Sequence, residues 1–324
     1  MDLQPPAPFH PGETAVQERA GVRAQIEPIG RRIIRDHMPA QHRELFAKLP
    51  TLLVGSLDGQ RRPWASILAG RPGFVSSPDE RTLRIEALPR AGDPLAATLA
   101  VGAPLGLLGA EPATRRRNRM NGSVLALDAT GFTVGVEQSF GNCPQYIQAR
   151  TPQWQREPGE PVPPTRALGT TLDLAAQALV RRADTLFIAS AAPQARAAGG
   201  AHGVDVSHRG GRPGFVGLRH DGWGRSVLTL PDFRGNNLFN TLGNIVAHPH
   251  AGLLFFDPQT GDVLQLTGPA EVLWDGAELA AFTGAQRLVR IMVEEAFWSP
   301  AALPLRWSEP EPAAQLQGTG VWAQ

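Results

Sequence analysis

The chain opens with a helical texture and then changes character. Glu13 to His37 is rich in charge, with apolar residues at Val16, Val22, Ile26, Ile29, Ile33 and Ile34. That spacing predicts an amphipathic helix, with Pro28 as the expected break. From residue 51 onward, short apolar runs alternate with glycine and proline, the pattern of strands joined by tight turns. Thr171 to Arg182 returns briefly to helical spacing. Pro152, Pro158, Pro161, Pro163 and Pro164 make the preceding segment read as a linker.

The apolar pattern occurs twice. Gly70-Arg71-Pro72-Gly73-Phe74-Val75 returns unchanged as Gly211-Arg212-Pro213-Gly214-Phe215-Val216. Upstream, Thr51-Leu52-Leu53-Val54-Gly55-Ser56 matches Thr185-Leu186-Phe187-Ile188-Ala189-Ser190. Downstream, Gly106-Leu107-Leu108 matches Gly252-Leu253-Leu254. The changing offset falls in loops such as residues 191–200. The expected organisation is an arm and helix over 1–45, one mostly-β unit over 46–150, a proline-rich linker over 151–170 and a second unit over 171–324. In the second unit, strands are expected near 185–190, 203–208, 215–219, 226–230, 251–256 and 263–273, with a helix from about Asn236 to Val246. Its counterpart in the first unit begins at Asp93-Pro94, an N-cap followed by proline. Strands in series with one helix predict a mainly β fold of two tandem antiparallel barrels.

Composition narrows the function. The chain has 324 residues, and 31 basic against 30 acidic side chains leave a net charge of +1. No global field draws it to nucleic acid or to an anionic membrane. Lys48 is the single lysine and does not follow a glycine, which excludes a phosphate-binding GxxxxGK[ST] loop. Cys143 is the single cysteine, so no internal disulfide or cysteine-rich metal site is expected. His248 and His250 lack an evident third ligand, and no metal is expected. With no signal-peptide pattern and no long uncharged apolar run, the expected location is the cytoplasm.

Candidate chemistry comes from comparing the two copies. Strand alternation puts Asp205, Ser207 and Arg209 on one face, where the first copy has Trp64, Ser66 and Leu68. Arg234, Asn236, Asn240 and Asn244 gather at the second helix, where the first copy has Ala91-Gly92-Asp93-Pro94 and Ala97. Arginines beside a helix N-terminus suit an anion such as phosphate. A wet strand face and an ordinary N-cap would account for the same residues without a ligand. The run Arg115-Arg116-Arg117-Asn118-Arg119 reads as a solvated strand end. Cys143 reads as a packed thiol, and Tyr146 as either a core residue or a stacking surface.

At these residues the chain resembles the pyridoxamine 5'-phosphate oxidase-like flavoproteins of the FMN-binding split-barrel fold. The resemblance rests on Pro63-Trp64-Ala65-Ser66, both GRPGFV copies, Arg119-Met120-Asn121-Gly122, Asn142-Cys143-Pro144-Gln145-Tyr146-Ile147, Asp205 to Gly211, and Pro231 to Asn244. It implies FMN as cofactor, with Ser207, Arg209 and Gly210 along the flavin and phosphate. Arg234, Asn236, Asn240 and Thr241 would close the phosphate end, and Trp64 and Ser66 would face the second barrel. It also implies flavin-dependent hydride or electron transfer with an unidentified small molecule, and a homodimer. The alternative is a protein that binds flavin, deazaflavin or haem without turnover. The tandem arrangement departs from the single barrel of the vitamin oxidase, and that enzyme's substrate-binding arginine and histidine have no evident match here.

Overall fold

The computed structural model describes residues 7–195 and 202–323. The first six residues of the expected arm, and residues 196–200 of the expected loop, lie outside the described residues. The arm gives way at once to α1 (Pro11–Arg19), followed by α2 (Arg23–Ile33) and α3 (Ala40–Lys48). The expected break at Pro28 falls elsewhere. Gly21, at φ +70°, ends the first helix, and Pro28 sits inside α2. A glycine in the left-handed region terminates a helix, whereas Pro28, the sixth of eleven residues in α2, removes one backbone donor without ending it.

Seven strands form the first sheet: β1 (Thr51–Leu57), β2 (Pro63–Ala69), β3 (Val75–Ser76), β4 (Thr82–Ile85), β5 (Pro104–Glu111), β6 (Arg116–Asp128) and β7 (Gly131–Gly141). Short strands β8 (Pro152–Trp154) and β9 (Arg166–Ala167) cross the linker, and α4 (Leu174–Arg182) follows, capped by Asp173. The second sheet contains β10 (Thr185–Ala191), β11 (Val204–Gly210), β12 (Gly217–His220), β13 (Ser226–Phe233), β14 (His250–Phe256), β15 (Val263–Leu273), β16 (Ala285–Met292) and β17 (Glu295–Ser299). Between β13 and β14 lies α5 (Asn240–Ala247). Where the first copy was expected to show a matching helix, it has one 3-10 turn at Pro94–Ala97, capped by Asp93.

The two sheets share one strand order, β2-β1-β5-β6-β7-β4-β3 and β11-β10-β14-β15-β16-β13-β12, with antiparallel pairing throughout. The registers match as well. Val54 stands between Ser66 and Leu107, and Ile188 stands between Ser207 and Leu253. In the first copy, Leu52, Leu68, Val75, Leu83, Leu105, Met120 and Val134, one from each strand, meet in one core. The sheet therefore curls round its own interior as a split barrel, and the second copy does the same around Ile188, Leu230, Leu253 and Leu266.

Alternation sends the other face of each barrel outward, and the two outward faces pack on each other. Leu53, Ala65, Ile67 and Leu108 meet Phe187, Ala189, Val206 and Leu254. Glycine allows the close approach. A Cβ on Gly106 would lie 2.9 Å from the Asp205 Cα, and one on Gly252 would lie 2.8 Å from the Trp64 Cα. These glycines are register equivalents, so an approximate two-fold relates the barrels and generates two equivalent clefts between them.

Candidate functional site

One cleft is open. Its walls come from β6 of the first barrel, the segment after β7, and β11, the end of β13 and the start of α5 in the second barrel. The cavity is about 110 Å³. The expected residues Ser207, Arg209, Gly210, Asn236, Asn240 and Thr241 all line it.

Arg119 is the centre of the site, and it is buried. Its Nη1 lies 2.7 Å from Asp205 Oδ1 and donates to Asn240 Oδ1 at 2.9 Å, and its Nη2 donates to Ser207 Oγ. The Thr241 hydroxyl donates to Ser207 Oγ at 3.0 Å. Arg209 pairs with Asp232 at 2.6 Å, and Asp232 is shared with Arg287 at 2.9 Å. Arg117 donates, among the described residues, to the backbone carbonyls of Cys143 at 2.6 and 2.9 Å and His208 at 3.4 Å. Burial, with Arg119 and Arg209 nearby, lowers its pKa to about 10, so it stays charged at neutral pH. Three guanidinium groups, those of Arg117, Arg119 and Arg209, thus line the cleft; Asp205 pairs with Arg119, and Asp232 is shared between Arg209 and Arg287, which lies outside the lining.

Among the described residues, buried polar atoms of the lining without a partner are Arg119 Nε, Asn142 Nδ2, Gln145 Oε1 and both ring nitrogens of His208. Unsatisfied buried groups each cost roughly 1–3 kcal/mol, and these atoms offer hydrogen-bonding capacity that the protein does not use. His208 lies on the opposite face of β11, edge-on to Phe187 with its ring centroid 5.7 Å away. Burial, with Arg117 and Arg209 near it, holds His208 neutral.

The local backbone is shaped around the cleft. Gly210 has no room for a Cβ because the Tyr146 carbonyl oxygen occupies that space. Tyr146, Asn237 and Phe239 all have positive φ, at 62°, 59° and 61°. Non-glycine residues in this region cluster at binding sites. The expected helix start at Asn236 is instead a loop, and Phe239 precedes the first helical residue. No side chain caps α5, and its first residues face the cleft with the partial positive charge of a helix N-terminus. The Tyr146 ring packs on Phe233 at 5.2 Å, and its hydroxyl donates to the Arg234 carbonyl at 3.1 Å.

The structure places three expected residues elsewhere. Arg234 is exposed beyond the cleft lining. Trp64 and Ser66 lie in the symmetry-related cleft, which is filled. Ser66 donates to Asp93 at 2.5 Å, and Gln265, register partner of Leu254 as Arg119 is of Leu108, bonds Ala65 and Ser66. Arg90 reaches in from the first barrel to Asp93, Gln265 and Ser299. The buried Trp64 packs on Phe297 at 5.4 Å.

Sequence reasoning missed Arg117 and Arg119, which it read as a solvated strand end. A signal was available. Arg119 alternates with the apolar Met120 and lies on β6 opposite Leu108, a residue of the repeat. Among the described residues, no group of three or more His, Cys, Asp or Glu is placed to hold a metal. No described helix is long and apolar enough to cross a membrane.

No family model and no curated protein matches this chain. Among solved structures it is similar to HupZ of Group A Streptococcus, at 15% identity over 39% of this chain and 92% of that one, with a TM-score of 0.29. It is also similar to a Clostridium acetobutylicum protein related to general stress protein 26, described as of the pyridoxinephosphate oxidase family. There the identity is 12% over 42% and 92% of the two chains, with a TM-score of 0.28. A putative 5-nitroimidazole antibiotic resistance protein from Bacteroides thetaiotaomicron matches at 10% identity, covering 49% and 96%, with a TM-score of 0.28.

Proposed function

We propose that the open cleft binds FMN, one molecule per chain, and that the protein is an FMN-dependent oxidoreductase acting on a small molecule. The observation that carries this reading is the surplus of guanidinium charge over carboxylate charge around the cleft. Arg117, Arg119 and Arg209 in the lining, with Arg287 behind Asp232, against the carboxylates Asp205 and Asp232 leave a local positive charge that a phosphate monoester dianion balances.

The chain's own residues divide the work. Arg119, Arg209, Ser207, Thr241 and the start of α5 suit the phosphate. The cavity, at about 110 Å³, is smaller than the roughly 300–1,000 Å³ of pockets that enclose a whole ligand. It matches the phosphate end, with the flat ring system along the mouth. There Asn142 Nδ2 and Gln145 Oε1 supply an unused donor and acceptor, and Tyr146 an aromatic face. Bound FMN supplies hydride or electron transfer at its isoalloxazine ring, and the protein supplies position and charge. The second cleft has no room for a ligand, because Arg90, Gln265 and Trp64 fill it.

The test is the visible spectrum of the purified protein and chromatography of any released chromophore. The expected result is an oxidised-flavin spectrum with FMN released at one per chain. A colourless protein that fails to bind added FMN overturns the reading. Bound FMN that no nicotinamide or chemical reductant can reduce overturns the oxidoreductase part alone.

A further inference from the structure

Helix α1 lies outside both barrels, yet it reaches the cleft. It crosses α5 at a pair of glycines. A Cβ on Gly243 would lie 2.5 Å from the Glu13 Cα, and one on Gly12 would strike the Gly243 carbonyl oxygen. The crossing brings the Glu13 carboxyl, itself buried, against the Asn240 amide.

Asn240 is thereby held from both sides. Its Oδ1 accepts from Arg119 at 2.9 Å, and its Nδ2 donates to Glu13 Oε1. The other Glu13 oxygen accepts from the His10 backbone at 2.8 Å. The His10 ring accepts from the Gly12 amide at Nδ1, so its Nε2 donates to Asn244 Oδ1 at 2.8 Å, and the Asn244 amide donates to Ser190 at 3.1 Å. A continuous chain of buried polar groups thus joins the N-terminal helix to the arginine at the centre of the cleft.

We propose that Glu13 is a positioning residue of the anion site, holding Asn240, and through it Arg119, in the orientation that receives the ligand. This inference rests on the reading of the cleft as a phosphate site. The groups facing Glu13 are His10 on its own element, Asn240 and Asn244 on α5, Asp205 on β11 and Arg119 on β6. His202 stands behind His10, with ring centroids 6.0 Å apart. Burial raises the Glu13 pKa to about 8, against the hydrogen bonds from His10 and Asn240; Asp205 raises it further and Arg119 lowers it. His10 is neutral, lowered to about 4 mainly by burial. A dianion arriving beside Arg119 favours the neutral form of Glu13, so binding takes up a proton wherever Glu13 is ionised beforehand.

The experiment is titration of the full chain with FMN between about pH 7 and 9, below the range where Arg117 discharges. The wild-type affinity is expected to fall as pH rises through about 8. Glu13→Ala weakens binding about tenfold at neutral pH, the upper end of what loss of a neutral hydrogen bond costs. Glu13→Gln, which keeps an acceptor for Asn240, retains most of the affinity and loses the alkaline fall. Gly12→Ala, which pushes α1 off α5 and alters no group in the cleft, weakens binding as Glu13→Ala does. Folded Glu13→Ala and Gly12→Ala proteins with wild-type affinity would overturn the proposal. Calorimetry of the unaltered protein in buffers of different ionisation enthalpy needs no variant. Proton uptake on FMN binding near pH 8.5 supports the role, and its absence overturns it. If FMN fails to bind but inorganic phosphate binds, the flavin reading alone falls, and the same series with phosphate decides the role of Glu13.

Discussion

Arg119 and Gln265 occupy the same register position in the two barrels, one opposite Leu108 on β6 and the other opposite Leu254 on β15. Arg119 reaches across to Ser207 of the other barrel, and Gln265 reaches across to Ser66. The difference between them separates an open, positively charged cleft from a filled, self-satisfied one. Around Arg119, Asp205 balances part of the charge and leaves the rest for a ligand. Around Gln265, Arg90 and Asp93 close the network from within.

Arg119→Ala is expected to abolish FMN binding and to lower stability. It removes the unpartnered Nε donor in the cleft and leaves Asp205, 2% exposed, without its ion-pair partner. Breaking a buried pair in this way costs about 3–5 kcal/mol. Adding Asp205→Asn should restore much of the melting temperature and none of the binding. Thermal unfolding and FMN titration of the single and double variants separate the two roles. Recovery of binding in the double variant would count against Arg119 as a ligand contact.

Arg90→Ala tests the filled cleft. It leaves Asp93, Gln265 and Ser299 short of a partner in a buried network, at a cost of about 1–3 kcal/mol. FMN affinity and the ratio of one per chain should not change. A second equivalent of FMN bound by the unaltered protein would refute the asymmetry.

Gly210→Ala places a methyl group against the Tyr146 carbonyl oxygen. The segment carrying Asn142 and Gln145 must then move away from β11. Overpacking of this kind costs about 1–3 kcal/mol. The expected result is weaker FMN binding together with a lower melting temperature. An unaltered affinity would show that this segment does not contact the ligand.

The buried titratable groups give stability a maximum near neutral pH. His10 and His42 are each lowered to about 4, chiefly by burial. The unfolded chain takes up protons at these positions near pH 6.5 and the folded chain does not, so stability falls as pH drops from about 6.5 toward 4. Glu13 acts in the opposite sense. Raised to about 8 by burial, it holds its proton while the unfolded chain has released it, so its contribution declines from about pH 4.5 up to 8. Urea unfolding across this range should show both limbs, and Glu13→Gln should flatten the alkaline one.

The sequence alone determined the repeat and most of the strands. Strict alternation and recurring glycines are local signals, and a copy of the pattern at a distance repeats the same physics. Thr51–Ser56 and Thr185–Ser190 became equivalent strands, and both GRPGFV segments form the same turn, with Phe74 and Phe215 folded against the glycine that opens each. The sequence also gathered Ser207, Arg209, Asn240 and Thr241, because strand alternation and one helix turn place them near each other within a single copy. Only the tertiary structure decided which barrel's groups meet. Arg119 is contributed by the other copy, 88 positions from Ser207. Glu13 reaches Asn240 over a separation of 227 positions. Contacts between elements so far apart in the chain depend on how two outward faces pack, and no local periodicity encodes that. The same packing filled the cleft around Trp64 and Ser66. Whether a polar strand face meets solvent, a ligand or a neighbouring side chain is settled by what lies opposite it.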